Sequence, residues 1–240
     1  SIAILHGQVS PTAAGVSGHR RPWYVVDNLS EAGSVANVLL KLFEEVLQDR
    51  LGYDLIQDVQ VLTPTHKGPL GTVELNNALQ QLIQRKRYGV RAPLPEANRR
   101  AALLPGDKVI QTRNDYTLGV MNGAQGVVAA VLDGGGLVVH FDGKPVTIAA
   151  GSHQLSHLQL AYATTIHKMQ GSEFPCALII VHRSHSFMHH RNLLYTAVTR
   201  AKESVILLGD RWGIDHCATK RQVDRRRTFL EFLLPEEIRL

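Results

Sequence analysis

The chain has 240 residues, of which 44% are hydrophobic and 20% are charged, so it is long enough to bury one large core or two smaller ones. Lysine and arginine outnumber aspartate and glutamate by 26 to 21, and this mild basic excess permits a polyanionic partner without requiring one. The sequence has no apolar run long enough to span a membrane, and its first residues do not have the pattern of a signal peptide. Its two cysteines, Cys176 and Cys217, are far apart, so they indicate neither a disulfide framework nor a zinc site. We therefore expect a cytoplasmic protein with no membrane partner. The first residues, SIAILHGQVSP, look like the end of a helix, so we expect the chain to begin within a longer protein.

The first part of the chain alternates short apolar runs with helical patterns. Strand, helix, strand and helix patterns follow one another over residues 23–27, 35–47, 59–62 and 73–83. Ser30 and Glu31 provide a start signal for the first helix, and Pro64 ends the second strand because proline has no N–H for a ladder. This β-α-β-α order predicts a parallel sheet with right-handed crossovers.

The composition changes after residue 84. The basic runs 85–87 and 99–100 flank a stretch with Pro93, Pro95 and Pro105, which predicts a linker rather than a helix. Four runs of strand type then follow, separated by glycine, asparagine and aspartate turn signals: DKVIQTR, QGVVAAVLD, LVVHFD and KPVTIAA. A meander of about 50 residues is near the lower limit for a core of its own, and a small closed β-barrel fits it because closure removes exposed strand edges. We expect 106–157 to be an insertion that divides a domain formed by 1–105 and 158–240.

Strands and helices alternate again after the insertion. Apolar patterns predict strands at 158–162, 177–181 and 205–208, and helices at 192–202 and 228–234. The run at 177–181 is almost wholly apolar, which is typical of a parallel strand buried on both faces.

Polar residues follow the first of these strands. They combine hydroxyl, imidazole, ammonium and glycine groups, at Thr164, Thr165, His167, Lys168 and Gly171. Open α/β sheets bind ligands at their carboxyl edge, and backbone N–H groups at a following helix start favour phosphate. The pattern therefore predicts an anion site, and a turn of solvated polar residues is the alternative. Two further polar clusters, at 63–68 and 195–202, are also expected to follow strands of the same sheet.

Together these clusters resemble motifs of the second RecA-like domain of superfamily 1 helicases, most closely those of the RecD-like branch. VLTPTHKGPLG resembles motif IV, AYATTIHKMQGSEFP resembles motif V, and NLLYTAVTRAK resembles motif VI. RNDYTLGVMNGAQG resembles the small Src-homology-type barrel that RecD-like helicases insert in this domain. The resemblance extends over nearly the whole chain. It implies an α/β fold, with a RecA-like parallel sheet flanked by helices and an inserted small Src-homology-type β-barrel.

The resemblance implies a set of residues that face a nucleotide. Arg200, which we expect on a helix, resembles an arginine finger that neutralises charge on the γ-phosphate, since a guanidinium binds phosphate oxygens and stays protonated. Glu173 resembles the ribose-binding glutamate, and Gly171 would allow close backbone approach. Lys67 stands where related helicases place a basic residue near the nucleotide. The alternatives are a surface arginine for Arg200 and a solvated turn lysine for Lys67.

A second set implied by the resemblance contacts nucleic acid. Thr165 and His167 resemble residues that hold a nucleic-acid phosphate, with Thr164 and Lys168 close by. A structural histidine is the alternative for His167. Met169 departs from the small serine more usual at its position, which leaves that local contact open.

Candidate nucleic-acid contacts also lie outside motif V. They are Thr63 in motif IV and two residues of the expected barrel, Asn114 and Tyr116. An exposed tyrosine can stack on a base of single-stranded DNA. A purely structural role in the turn is the alternative for both barrel residues.

The chain contains no G-x-x-x-x-G-K-[ST] sequence, and no Asp-Glu pair ends an apolar strand, so it has no Walker A or Walker B site. The resemblance then implies that ATP and Mg²⁺ are held mainly by an N-terminal RecA-like domain of the same protein. It implies the C-terminal half of an ATP-dependent 5′→3′ helicase that binds single-stranded DNA and is inactive as a fragment. The parent would act either alone or with other exodeoxyribonuclease V subunits in DNA repair and recombination.

Two other classes of function remain open at this point. A non-enzymatic nucleic-acid-binding module would use the barrel and the basic runs at 85–87, 99–100 and 225–227. A metabolic α/β enzyme with a phosphate pocket is disfavoured, because no acid–base or nucleophile set assembles in the sequence.

Overall fold

The computed structural model describes residues 2–11, 21–89 and 102–221. Within these ranges the strands are β1 (Trp23–Val26), β2 (Val59–Thr63), β3 (Lys108–Gln111), β4 (Gln125–Val131), β5 (Leu137–Phe141), β6 (Lys144–Ile148), β7 (Leu158–Leu160), β8 (Ala163–Thr165), β9 (Phe174–Val181) and β10 (Ala201–Gly209). The α-helices there are α1 (Ile2–Leu5), α2 (Ala32–Lys41), α3 (Thr72–Tyr88), α4 (Arg191–Val198) and α5 (Arg211–Thr219). A π-helical stretch, Leu42–Val46, continues α2, and 3₁₀ helices lie at His153–His157, His167–Met169 and Arg183–His185. No helix in the described ranges is long and apolar enough to cross a bilayer.

Five strands form a parallel sheet in the order β1-β10-β9-β2-β8. Every neighbouring pair in it is parallel, and the registers place Leu62 beside Ile179 and Thr63 beside Thr165. The central strand β9 is apolar over nearly its whole length because both of its faces are covered. The predicted α/β fold, a parallel sheet with helices, is confirmed.

Helices cover both faces of the parallel sheet. On one face, Leu39 of α2 and Leu79 of α3 share a core with Val61 of β2. On the other face, α1, α4 and α5 form a second core, to which Leu194 and Ile214 belong. Full burial of an aliphatic side chain contributes about 1.5–3 kcal/mol relative to exposure. These two layers therefore fix the sheet whose edges carry the candidate site residues.

The other five strands form an antiparallel sheet in the order β6-β5-β4-β3-β7, which we call the inserted sheet. It has its own core, which includes Val109 and Val128. Gly126 is needed there, because a Cβ at this position would lie 2.7 Å from the carbonyl oxygen of His140. The antiparallel meander predicted within 106–157 is present. In the described residues β6 and β7 do not pair with each other, so closure into a barrel stays a prediction.

The stretch predicted as one strand at 158–162 contains only the short strand β7, and the longer run at 158–165 is divided between the two sheets. β7 pairs antiparallel with β3, with Leu160 beside Val109, whereas β8 pairs parallel with β2 from Ala163 onward. The prediction that the parallel sheet resumes at residue 158 is therefore wrong. The physical reason is that the Leu158 side chain is buried in the core of the inserted sheet.

Two helix boundaries on the first face also differ from the prediction. α3 extends beyond the predicted 73–83 at both ends and stops before Gly89, whose φ of 65° is a left-handed conformation that favours glycine. α2 begins after Glu31 without a side-chain cap, so the start signal expected at Ser30 is not used. Several predicted features lie outside the described residues: Pro93, Pro95, the basic runs at 99–100 and 225–227, and the helix at 228–234.

Asp107, just before β3, connects the inserted sheet to α3. Its buried carboxylate accepts hydrogen bonds from Gln80, from Gln84 at 2.8 Å and from the hydroxyl of Tyr162 at 2.8 Å. Burial raises the pKa of Asp107, while these hydrogen bonds and one from the Leu104 N–H act in the opposite direction. Because the buried carboxylate is well supplied with donors, the network stabilises the junction between the two sheets.

Lys108 is a second buried charged residue at this junction. Its amine donates a hydrogen bond to the carbonyl of Val59 at 3.0 Å and lies 5.3 Å from the ring centre of Phe174. Burial lowers the pKa of Lys108 to about 7, although the carboxylates of Asp54 and Asp58 raise it. The lysine therefore joins the inserted sheet to the parallel sheet with a charge that is partly lost near neutral pH.

Candidate nucleic-acid and nucleotide interfaces

The parallel sheet separates the predicted site residues into two groups. At the carboxyl edge lie Thr63, Lys67, Thr164, Thr165, His167 and Lys168, and at the amino edge, just before β9 and β10, lie Glu173 and Arg200. The strand registers place Thr165 level with the sixth residue after Phe174, the first residue of β9. Phe174 and Thr165 are therefore about 20 Å apart along the strand direction. The expectation that all three clusters follow strands is therefore wrong for Glu173 and Arg200, which precede strands. Lys67, expected near the nucleotide, lies instead with the nucleic-acid candidates.

The three threonines at the carboxyl edge differ in the availability of their hydroxyl groups. Thr63 is fully buried and donates its hydroxyl to the carbonyl of Leu70 at 2.7 Å. The Thr164 hydroxyl accepts a hydrogen bond from the amide of Gln60 at 3.2 Å. Thr164 and Thr165 both line an open cleft, and in the described part of the chain the Thr165 hydroxyl has no hydrogen-bond partner. The structure gives Thr63 and Thr164 internal bonds and leaves Thr165 as the threonine suited to an external phosphate.

The 3₁₀ helix His167–Met169 follows β8 directly and presents two basic side chains. His167 is exposed, and Lys168 is half-buried, so burial lowers the pKa of its amine. Met169 is fully buried, and its sulfur accepts a hydrogen bond from the amide of Gln125 in the inserted sheet at 3.5 Å. The methionine that departs from the family pattern therefore anchors this turn to the inserted sheet.

The turn after β2 is held by a histidine that the sequence analysis did not identify. The Thr65 hydroxyl donates to the carbonyl of Lys67 at 3.1 Å and lies 3.2 Å from Nε2 of His185. Since the Thr65 proton is used, His185 fits as the donor through Nε2–H. Burial lowers the pKa of His185 to about 4, which keeps the ring neutral. Its place in the sequence near His182, His189 and His190 shows no periodicity, so only the fold reveals that it contacts the turn after β2.

An open cleft of about 710 Å³ separates the first turn of α3 and β8 from the inserted sheet. Thr165 and Lys168 line it on the polar side, and Val73, Leu137 and Leu158 are among the apolar residues that line it. Extended single strands combine phosphate contacts with apolar or aromatic contacts to bases. This cleft offers both kinds of contact beside the carboxyl edge.

Arg200 lies in the turn between α4 and β10, because α4 ends at Val198 rather than at the predicted residue 202. Its guanidinium donates hydrogen bonds to the carbonyl of Thr196, to the carbonyl of Ser172 and to the hydroxyl of Thr199, each at 3.1 Å. A guanidinium has five N–H donors, so two remain after these three contacts. The prediction that Arg200 sits on a helix is wrong, but its side chain is firmly held.

The contact between Arg200 and Ser172 brings the arginine to the segment that carries Gly171 and Glu173. Gly171 has a φ of 88°, and no described atom lies within 4 Å of the position that a Cβ would take. Glu173 is exposed and forms an ion pair with Lys202 at 3.5 Å, which contributes little because both groups are solvated. The amino edge therefore presents an arginine, a carboxylate and open backbone next to one another.

Asn114 and Tyr116 lie in a small hairpin of the inserted sheet, where Asp115 pairs with Val120. The Asn114 side chain accepts a hydrogen bond from the N–H of Asn122 at 2.8 Å, which is a structural role in the turn. Tyr116 is 79% exposed and is available to a ligand. In the described residues, no group of three or more His, Cys, Asp or Glu side chains could hold a metal ion.

Residues 160–208, which include β8, β9, α4 and most of β10, match the UvrD-like helicase C-terminal domain family. Over 174 residues the chain is 43% identical to the ATP-dependent RecD2 DNA helicase of Deinococcus radiodurans, in a match that covers 72% of this chain and 23% of that protein. Over 118 residues it is 36% identical to the RecBCD enzyme subunit RecD of Mycobacterium tuberculosis, covering 49% of this chain and 20% of that subunit. The chain thus spans less than a quarter of the length of these curated relatives. The crystal structure of a Pif1 helicase from Bacteroides with ADP-AlF3 and ssDNA aligns over 74% of this chain and 45% of its own, with a TM-score of 0.43 and 22% identity.

Proposed function

Because the chain belongs to the RecD-like branch of superfamily 1 helicases, we propose that it is the C-terminal motor domain of an ATP-dependent DNA helicase that moves 5′→3′ on single-stranded DNA. One observation carries the proposal: groups suited to phosphate lie at the carboxyl edge of the parallel sheet, while Arg200 and Glu173 lie at its amino edge. A helicase motor domain needs such a separation, because it binds DNA at one surface and responds to a nucleotide at another.

The amino edge is the nucleotide side in this proposal. ATP and Mg²⁺ would be held mainly by an N-terminal RecA-like domain of the same protein. The residues present fit a nucleotide approaching from outside, since Arg200 keeps two N–H groups beyond its three described contacts and Gly171 leaves its surroundings open. Arg200 would act as the arginine finger, a role that contributes on the order of 10³–10⁵ in rate. Glu173 would accept hydrogen bonds from the ribose hydroxyls after releasing Lys202.

The carboxyl edge is the DNA side. Thr165, His167 and Lys168 would hold phosphates of the single strand, and Lys67 in the braced turn after β2 would add a further cation. Tyr116 on the inserted sheet would stack on a base beyond the cleft. Closure of the two motor domains around ATP would then move these DNA-contacting residues along the strand, and reopening of the domains would release the strand.

The proposal also assigns the domain organisation. We take 1–105 and 158–240 as the discontinuous motor domain and 106–157 as an inserted small Src-homology-type barrel, with β7 of the motor segment added to the inserted sheet. The parent would act alone or as a subunit of an exodeoxyribonuclease V type enzyme. ATP hydrolysis, DNA repair and the subunit partners are all part of this proposal.

The decisive experiment uses a full-length protein that contains this chain. Arg200→Ala is expected to lower the single-strand-stimulated ATPase rate by about 10³-fold or more, because the γ-phosphate loses its cation. Nucleotide affinity, measured with a fluorescent ATP analogue, should stay within a few-fold of the wild type. Lys202→Ala, which removes a neighbouring exposed cation, is the matched control and should keep most of the activity. Normal ATP turnover by Arg200→Ala would overturn the assignment.

The 240-residue chain by itself provides a second test. Without the Walker sites it should hydrolyse no ATP, with or without single-stranded DNA. A stand-alone nucleic-acid-binding module is the other candidate, and the exposed Tyr116 favours it. That module would bind a single-stranded oligonucleotide tightly, with a salt slope near −0.7 for each phosphate contacted, whereas half of a motor should bind weakly.

A further inference from the structure

Apart from the contact of His185 with Thr65, the loop between β9 and α4 has no part in the sites described above. It contains the 3₁₀ helix Arg183–His185 and two further turns, closed by hydrogen bonds from the Met188 N–H to the His185 carbonyl at 2.8 Å and from the His189 N–H to the Ser186 carbonyl at 3.2 Å. Because β9 ends at Val181, this loop lies at the carboxyl edge, next to the turn that follows β2.

The loop is firmly anchored on several sides. The His182 ring bonds to the carbonyl of Ser30 at 3.0 Å, and His185 bonds to the Thr65 hydroxyl at 3.2 Å. Lys220 donates to the carbonyl of Ser186 at 3.3 Å. The next histidine, His189, is 1% exposed. These contacts leave the backbone of the loop little freedom.

Phe187 stands out in this anchored loop because its side chain is 72% exposed. In the described part of the chain it has no ring partner, whereas the exposed Trp212 is stacked on His216 at 4.6 Å. A large apolar side chain that is mostly exposed contributes little to folding by burial. Single exposed apolar residues are common on protein surfaces, so the groups around Phe187 decide whether it is a contact for a ligand.

The surroundings of Phe187 indicate what that ligand is. The contact between His185 and Thr65 joins its loop to the turn that carries the exposed Lys67. Arg183, at the start of the loop, is half-exposed and uses Nε on Asp210 at 3.0 Å. The carboxyl edge therefore carries an exposed aromatic ring in a loop that contains Arg183 and adjoins the turn of Lys67. Single-stranded nucleic acids are bound by such a combination, with a ring stacked on a base and cations on phosphates.

We propose that Phe187 is a base-stacking contact for single-stranded DNA, which extends the strand path from β8 and β2 across the end of β9. This inference rests on the proposed helicase function and adds a contact outside motifs IV, V and VI. The loop leads directly into α4, which is capped by His190 and ends two residues before Arg200. Phe187 is thus close in the chain to the helix whose Thr196 carbonyl accepts a hydrogen bond from Arg200.

The test measures binding of a fluorescein-labelled dT20 oligonucleotide to the 240-residue chain over a range of salt concentrations. Phe187→Leu keeps an apolar side chain but removes the ring, and it should weaken binding about 5- to 100-fold, the range found when base stacking is lost. The salt slope should not change, because no phosphate contact is removed. Phe187→Trp should bind within a few-fold of the wild type. Lys67→Gln should instead reduce the salt slope by about 0.7.

The outcomes separate this inference from the function on which it rests. If the wild type binds dT20 and Phe187→Leu binds equally well, the stacking contact is refuted, but the proposed DNA-binding role of the carboxyl edge is not. The stacking contact is also refuted if the Leu and Trp variants weaken binding equally, because equal losses would mean that either substitution disturbs the conformation of the loop. If the wild type does not bind dT20 at any salt concentration, the DNA edge itself is refuted and the stacking contact with it.

Discussion

Lys108→Met should change the pH dependence of stability in a way that can be calculated from the structure. The buried amine has a pKa of about 7 in the folded chain and about 10.5 when exposed in the unfolded chain. Between these values the unfolded chain holds a proton that the folded chain has released, so unfolding takes up a proton and the free energy of unfolding rises with pH. Methionine has a similar length and no charge, so this contribution disappears in the variant.

The size of the effect follows from 1.36 kcal/mol for each pKa unit. Between pH 7 and pH 9, the wild type should gain about 2 kcal/mol relative to Lys108→Met. At pH 7 the lysine costs about 4 kcal/mol through its lowered pKa. Losing the hydrogen bond to the Val59 carbonyl offsets about 1–3 kcal/mol of this. The variant should therefore be more stable than the wild type by roughly 1–3 kcal/mol at pH 7.

Urea unfolding followed by circular dichroism at pH 7, 8 and 9 measures both quantities, provided that the m-values agree between the two proteins. Lys144→Met, which removes an exposed ammonium from the same sheet, controls for the loss of net charge. Parallel stability curves for the wild type and Lys108→Met over this pH range would refute the reasoning, because they would mean that the buried amine keeps its proton.

Three further predictions concern the site and its support. Thr165→Val should weaken binding of dT20 about 10- to 100-fold, as expected for a lost hydrogen bond to a charged phosphate, whereas Thr63→Val should lower stability by about 1–3 kcal/mol and leave dT20 binding by the folded chain intact. Gly71→Ala should lower the thermal unfolding midpoint and disorder the turn after β2, because its Cβ would lie 2.6 Å from backbone atoms of that turn, and an unchanged midpoint would contradict this geometry. Tyr162→Phe should cost about 1.5–3 kcal/mol in urea unfolding, since it removes a hydrogen bond to the Asp107 carboxylate, and a loss below about 0.5 kcal/mol would show that this bond contributes little.

The parallel sheet could be predicted from the sequence because its strands are apolar runs bounded by polar turns. The strand at Phe174–Val181 is the clearest case. The division of the run at 158–165 between two sheets could not be predicted, since LQLAYATT contains no break and both sheets require apolar side chains. α5 was not predicted, because its nine residues include Gly213 and show weak periodicity.

The candidate site was predicted as a set of residue types, but its spatial grouping was not. The sequence predicts that Arg200 and Thr165 lie beside strands of one sheet, yet only the strand registers show that they lie at opposite edges of it. His185 illustrates the same limit, because its contact with Thr65 joins residues 120 positions apart. Local patterns carry no information about a contact of that kind.

The passage from the inserted sheet back to the parallel sheet consists of only two residues, Ala161 and Tyr162. The Ala161 N–H donates to the Lys108 carbonyl at 2.8 Å, and the Tyr162 carbonyl accepts from the Val61 N–H at 3.1 Å. The joint is therefore hydrogen-bonded to both sheets, and the Ala161 carbonyl also accepts a hydrogen bond from the side chain of Gln60 in β2. In the proposed helicase, a DNA strand that stacks on Tyr116 and displaces the inserted sheet would therefore also displace Thr165, three residues after Tyr162. The inserted sheet would then move together with the proposed DNA-binding residues rather than independently of them.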